Sequence, residues 1–428
     1  MSRWRSQVAR RAGWGVADQA LSSLTNFAVG VFVARELGAA QFGAFSLAFA
    51  TYLVALNAAR GLATDPLVVR FSDASTIAWR RAAAAATATG LSTGAVIGVA
   101  CLLAGLLLKS AGGAAFLALG AMLPLLMLQD AWRYAFFAAK RGRDAFLNDL
   151  AWAFFLVPFI AVATTVAQPR VQWFIIAWGA AAAAAGIIGV AQARVLPRPS
   201  LVTAWVRTHH DLGIRYVTEN ISFSVASQLR LYGLGAISGL AAVGALRGAE
   251  LLLGPVNLII MGIGGLMAVP EAARLVQHDT RRFRSFIAML GVVLAAAGLL
   301  WGAVLYTLLP ASLGRQLLGA TWESAAELLV PITLMMAFFG VWASAWTGIR
   351  AMAAARRGLQ AQIIGASAFL AGGLLGAVFD GAAGAAWGSA LGNMVAASFW
   401  WWQFLRALGE LEPAVEAAAS TGALRRST

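Results

Sequence analysis

Apolar residues in this chain come in long runs, broken at short intervals by polar or basic segments. A helix rises ~1.5 Å per residue, so about 20 apolar residues cover the ~30 Å hydrocarbon core of a bilayer. The runs predict twelve such helices, at about 13–34, 43–64, 83–108, 114–137, 146–167, 171–193, 214–237, 241–268, 285–309, 324–346, 358–378 and 384–405. The fold class is therefore an all-α polytopic membrane protein.

The interruptions give direction, because Lys and Arg gather in the loops that stay on the cytoplasmic side. Every second connection is basic. Arg3, Arg5, Arg10 and Arg11 precede the first span, Arg70, Arg80 and Arg81 follow the second, and Lys140, Arg141 and Arg143 follow the fourth. The same holds after spans six, eight and ten and at the C-terminus, whereas the opposite side holds only Arg35, Lys109, Arg170 and Arg315. This alternation predicts a multi-pass protein of a bacterial inner membrane with both termini in the cytoplasm. The loops on the outer side are short, the longest at about 310–322, which leaves no room for an external catalytic domain. An enzyme is not expected. The most hydrophilic internal piece, 194–213, carries Pro197, Pro199 and the amphipathic run LVTAWVRTHH. It reads as a cytoplasmic linker between a six-helix lobe at 1–193 and a second at 214–428.

Composition agrees with this picture: 60% of residues are hydrophobic and 12% charged, against roughly 25% charged in soluble domains. The net charge of +14 would suggest nucleic acid in a soluble protein. Here the basic loops explain it through topology and anionic head groups, so no nucleic-acid partner is expected. One cysteine, Cys101, and three histidines, His209, His210 and His278, speak against a disulfide or a metal centre. The N-terminus lacks the short apolar stretch and small-residue site of a cleavable signal.

The two halves show an internal repeat. A shift of 201 residues lays LGAAQFGAF (37–45) on SGLAAVGAL (238–246), Asp18-Gln19 on Glu219-Asn220, and Arg80-Arg81 on Arg281-Arg282. Six helices per half give both halves the same orientation, so the predicted lobes are related by an axis along the membrane normal, with a substrate path in the cleft between them.

Ionisable groups at bilayer depth are costly and mark sites or partnered pairs. Asp18, Ser22 and Asn26 form a stripe on span one, and Asn57, Arg60 and Thr64 one on span two. Span four carries Gln129, Asp130, Arg133 and Tyr134, and span seven Glu219, Asn220 and Arg230. Span eight carries Arg247, Glu250 and Asn257, with Pro255 between the last two. Guanidinium groups pair with phosphate oxygens through two parallel hydrogen bonds. The arginines suggest an inner anion station at Arg60 and Arg133 and an outer one at Arg230 and Arg247, with Asn57 and Tyr134 beside the inner one. The bland alternative is that Asp130–Arg133 and Arg247–Glu250 neutralise each other at i,i+3 spacing. Asp18, Asn26, Asp130, Glu219, Asn220, Glu250 and Asn257 then line the path or bind a coupling ion, H⁺ or Na⁺. No other cofactor is expected.

The run GWGVADQALSSLTNFAVGVFVARELGAAQFGAFSLAFATY (13–52) resembles the first two helices of the polysaccharide-transporter branch of the MOP flippase superfamily, which includes Wzx-like oligosaccharide flippases. LQDAWRYAFFAAKRGRDAFLNDLAW (128–152) and AAVGALRGAELLLGPVNL (241–258) extend the likeness over essentially the whole chain. The resemblance implies a MATE-like fold of two six-helix lobes. It also implies movement of a polyprenyl-pyrophosphate-linked oligosaccharide from the inner to the outer leaflet for cell-surface polysaccharide synthesis, by alternating access. Membrane lipids, the lipid-linked oligosaccharide and a glycan polymerase or glycosyltransferases would be its partners. Two alternatives stay open: a cation-coupled multidrug exporter of the same superfamily, and a non-transporting membrane partner of a glycan synthase.

Overall fold

The computed structural model describes the backbone of residues 2–72, 74–108, 110–165 and 169–424, and the side chains of these except 2–12, 16, 110, 218–224, 265–267 and 412–424. Every regular element among the described residues is helical. In a bilayer this is required, since backbone N–H and C=O groups find no water there and must pair within their own helix.

In chain order, the first elements are α1 (Ser2–Glu36), α2 (Ala39–Ala59), a π-helical turn (Arg60–Thr64), α3 (Asp65–Phe71), α4 (Thr76–Leu107), α5 (Ser110–Ala138), α6 (Gly142–Thr165) and α7 (Val171–Ala193). Then come α8 (Val202–Leu252), α9 (Gly254–Ile260), a second π turn (Met261–Met267), α10 (Ala268–His278) and α11 (Thr280–Leu308). The rest are α12 (Ala311–Leu318), α13 (Trp322–Ala326), α14 (Leu329–Ala351) and α15 (Ala355–Leu424). Side chains set several of the starts. The Ser75 hydroxyl accepts from the Ala78 N–H at the head of α4, and the Asp279 carboxylate from the Arg282 N–H at the head of α11, each satisfying an orphan donor of the first turn.

Eleven stretches among the described residues are long and apolar enough to cross a membrane. The last, Ala355–Leu411, is broken at Asp380 (φ −148°) and Gly381 (φ 50°), so it is two helices and the expected twelve are present. Gly239 (φ 82°) also breaks α8, between the predicted spans seven and eight, and the piece after it runs on into Gly254–His278 as one span, so the number stays at twelve. A left-handed φ is nearly free for glycine and strained for other residues, which is why both corners carry one. Two expectations for the connections change. The segment 310–322 is mostly helical, as α12 and the start of α13, and helix α8 begins at Val202, well inside the segment read as a linker.

The chain divides into two compact units, Met1–Leu231 with Leu317–Ala320, and Tyr232–Gln316 with Thr321–Thr428. In the first, α5 is the central helix and packs against α4, α6 and α7. Its seam with α4 is made of small residues. A Cβ on Gly98 would come within 2.6 Å of the Gly120 carbonyl oxygen, so the backbones touch directly. Close approach of this kind drives helix association where lipid is as apolar as leucine. In the second unit α14 packs on α11 and α15, and the two halves of α15 meet backbone to backbone at Gly376 and Gly384.

The 201-residue repeat reappears in the backbone. It lays Gly38, between α1 and α2, on Gly239, the break in α8. It also lays Arg60 on Met261, and these are the first residues of the two π turns. Each π turn lies just before a proline, Pro66 or Pro270, whose missing N–H frees an upstream carbonyl. In each unit another helix supplies a donor to a carbonyl of the π turn: the Trp205 Nε1–H to the Leu62 carbonyl at 3.2 Å, and the Thr347 hydroxyl to the Gly264 carbonyl at 2.9 Å. π turns of a single loop are rare and concentrate at functional positions.

Candidate functional site

Four helices of the first unit bring their buried charges together. Asp18 comes from α1, Arg60 from the start of the π turn, Asp130 and Arg133 from α5, and Asp149 from α6. Arg60 grips Asp130 with two parallel hydrogen bonds, Nε to Oδ2 at 2.9 Å and Nη2 to Oδ1 at 2.7 Å. The guanidinium also lies over the Tyr134 ring, 4.7 Å from its centre. Arg133 turns the other way. Its Nε donates to Asp18 Oδ2 at 2.6 Å, its Nη2 donates to Gln19 at 3.3 Å, and Asp149 Oδ2 lies 3.3 Å from the Nε.

A second layer fixes Asp149. The Gln129 amide donates to its Oδ1 at 2.8 Å, and the neighbouring Asn148 amide donates to the Ala185 carbonyl at 2.8 Å, tying α6 to α7. Asp18 is fully buried, while its Oδ1 has no hydrogen-bond partner among the described residues. Among the described residues the site sets three carboxylates, Asp18, Asp130 and Asp149, against two guanidiniums, Arg60 and Arg133.

The two arginines differ in access. The Arg133 side chain is 8% exposed and that of Arg60 23%. Asp130 holds one edge of the Arg60 guanidinium, and Nη1, on the other edge, carries no hydrogen bond among the described residues. Asn57 and Asn26 are half-buried.

Arg230 is buried in the first unit. Arg247 and Glu250 pair at 2.8 Å in the second unit, as their i,i+3 spacing suggests, and Asn257 is exposed on α9. Pro255 sits in the first turn of α9, where its missing N–H costs nothing. The side chains of Glu219 and Asn220 lie outside the described residues. Asp130 and Arg133 do not pair with each other; each takes a partner from another helix instead. Gln129, named on span four, completes the site together with Asn148 and Asp149, which the sequence pattern does not single out. The run LNDLAW, with an amide beside an acid near the start of a span, in the reverse order to Asp18-Gln19, was the available signal. Among the described residues no group of three or more His, Cys, Asp or Glu is placed to hold a metal ion.

No protein-family model matches the sequence, and a search of curated proteins finds no match. Solved structures do match. An inward-facing multidrug resistance MATE family transporter of the MOP superfamily aligns over 93% of this chain and 99% of its own, with TM-score 0.68 and 13% identity. The lipid II flippase MurJ, in an inward closed conformation, aligns over 95% of this chain and 92% of its own, with TM-score 0.66 and 10% identity.

The fold is the one these two solved structures share.

A further MOP superfamily transporter, from Pyrococcus furiosus and described as having a binding pocket of reverse polarity, aligns over 94% of this chain and 95% of its own, with TM-score 0.53 and 12% identity. This fold thus occurs in proteins described as drug transporters and in one described as a lipid flippase.

Proposed function

We propose that the protein is a flippase that carries an anionic, lipid-linked oligosaccharide from the inner to the outer leaflet of the inner membrane, by alternating access. The observation that carries this reading is Arg60. One edge of its guanidinium is locked by Asp130, its face is backed by Tyr134, its Nη1 carries no hydrogen bond among the described residues, and the side chain is partly exposed. A guanidinium fixed in this way is pre-organised for a phosphate oxygen, because little rotamer freedom remains to be lost on binding. An organic cation would be repelled at the same place. The resemblance of residues 13–52 to the polysaccharide-transporter branch points to the same cargo.

The charge imbalance supplies the driving step. With three carboxylates against two guanidiniums, the Asp18–Asp149 side of the site takes up one proton as its counter-charge. A proton needs a single carboxylate, and so suits this site better than Na⁺, which takes several oxygen ligands at once. Binding and release of that proton bias the two conformations only through their different affinities for it.

The test is a deletion strain. The account expects surface glycan to disappear, with restoration by the wild-type gene and not by Arg60→Gln. The multidrug alternative expects unchanged glycan and sensitisation to cationic drugs. A stable co-purifying synthase together with normal flipping in the deletion strain would favour the assembly-partner reading.

A further inference from the structure

At the basic end of the first unit, a cavity of about 250 Å³ opens between the first turns of α4 and the start of α8. Phe71, Ala82, Leu201, Ala204 and Trp205 give it an apolar floor, and Arg81, Thr208 and His209 give it a polar rim. The floor rests on a core cluster that includes Leu67, Trp79, Trp132 and Phe136, so its shape is fixed from below. The rings of Trp205 and His209 lie against each other, tilted by 32° with centres 4.1 Å apart, and the Phe71 ring lies 5.9 Å from that of the histidine. The His209 Nδ1 meets the Trp205 carbonyl at 2.9 Å. A carbonyl can only accept, so Nδ1 carries the hydrogen and Nε2 is left for another partner.

The cations around this cavity are unequally engaged. Arg70 is occupied by Asp211 at 2.8 Å and by the Thr208 carbonyl at 3.1 Å, and Arg80 donates to the Arg194 carbonyl. Arg81 is exposed at the rim and makes no hydrogen bond or ion pair among the described residues. The Arg198 guanidinium, close by in the chain segment whose backbone N–H bonds the Ala84 carbonyl, has no partner among them either. Large apolar side chains stand exposed beside these cations: Ile77 is 84% and Leu196 70% exposed. Exposed apolar groups next to unengaged guanidiniums fit the boundary between head groups and acyl chains. They do not fit contact with water.

We propose that this cavity is a binding site for an anionic phospholipid. The phosphodiester sits on Arg81 and the Thr208 hydroxyl, and the first part of one acyl chain lies on the floor of Trp205, Leu201 and Ala82. The charge complementarity and the apolar floor select a lipid over a soluble anion, which would gain nothing from the floor. The site is separate from the Arg60–Asp130 centre and does not depend on what the protein transports.

Native mass spectrometry of the detergent-purified full-length protein tests this, with phosphatidylglycerol and phosphatidylcholine of matched chains as competing probes. Wild type is expected to retain phosphatidylglycerol in preference. Arg81→Gln is expected to weaken that retention about fivefold, the effect of one basic group at a lipid surface, with phosphatidylcholine unchanged. Ala204→Trp, which fills the cavity from an exposed position, is expected to abolish the preference with Arg81 intact. Arg315→Gln, among the few basic residues assigned to the opposite side, serves as a folded control that keeps it. Equal retention of both lipids by wild type, or retention by Arg81→Gln and Ala204→Trp equal to wild type, would overturn the proposal. Displacement of phosphatidylglycerol by equimolar glycerol phosphate would also overturn it, by showing a soluble anion site.

Discussion

Arg133 is the residue whose removal the structure makes most informative. Its guanidinium lies 2.6 Å from Asp18 and 3.3 Å from Asp149, and all three side chains are at most 8% exposed. At an effective dielectric of about 20, the gross attractions are about 6 and 5 kcal/mol. Desolvation of three ions cancels most of this, so the pairing itself is close to neutral. Breaking it from one side is not neutral, because two carboxylates are left buried beside a site already short of positive charge. Arg133→Ala should therefore destabilise the protein by about 3–5 kcal/mol. Asp18→Asn or Asp149→Asn alone should cost less than half as much, since Arg133 keeps one carboxylate. Adding Asp18→Asn and Asp149→Asn to Arg133→Ala should recover most of the loss. The assay is reversible unfolding in mixed detergent micelles, followed by tryptophan fluorescence. If Arg133→Ala unfolds within about 0.5 kcal/mol of wild type, or if the neutral substitutions give no recovery, the buried ion triad does not hold these helices together.

Four further outcomes follow from other parts of the molecule. Trp205→Phe deletes the donor to the Leu62 carbonyl at the π turn and should cost about 1–3 kcal/mol by the same unfolding assay. Gly376→Val forces a side chain into the Gly384 backbone where the halves of α15 meet, so folded yield and stability should fall by at least about 1–3 kcal/mol, while the exposed neighbour Leu375→Val stays near wild type. If Asp149 is the proposed coupling carboxylate, Asp149→Asn should abolish the response of transport in vesicles to an imposed pH gradient while the protein still binds cargo. Asp211 lies outside the membrane spans. Desolvation raises its carboxyl pKa, but the Leu212 backbone N–H and Arg70 together outweigh this and hold it below the ordinary value. A lowered folded pKa gives a contribution present above the unfolded value of about 3.9 and lost as pH falls through the folded one. The stability gap between wild type and Asp211→Asn should hold from pH 7 to 5 and close only below about pH 4.

The helices were legible because hydrophobic length is a one-dimensional property, and the loop charges alternate without interruption. The two corners, Gly239 and Asp380–Gly381, fell at the predicted gaps because a left-handed turn needs the glycine visible there. The π turns were not legible. Pro66 lies just past the predicted end of span two and Pro270 past that of span eight, so neither had been read as perturbing a span. The site was legible in its parts and not in its pairing. Arg60 and Asp130 are 70 residues apart, and Arg133 and Asp18 are 115. Helix periodicity could offer only the local alternative, Asp130 with Arg133. Which neighbour wins is decided by how α1, α5 and α6 pack, and Asp149, on the least conspicuous of these helices, was missed for that reason.

The most direct measurement of the central claim is flipping by purified protein reconstituted in liposomes that carry a polyprenyl-pyrophosphate oligosaccharide, read by access of an external glycosidase or lectin. Wild type should expose the inner-leaflet pool when the internal and external pH differ. Arg60→Gln, correctly inserted and folded, should slow this at least tenfold, about the loss of one charge-assisted hydrogen bond to phosphate. Equal rates for wild type, Arg60→Gln and protein-free liposomes would contradict the account. So would Arg60→Gln flipping as fast as an active wild type.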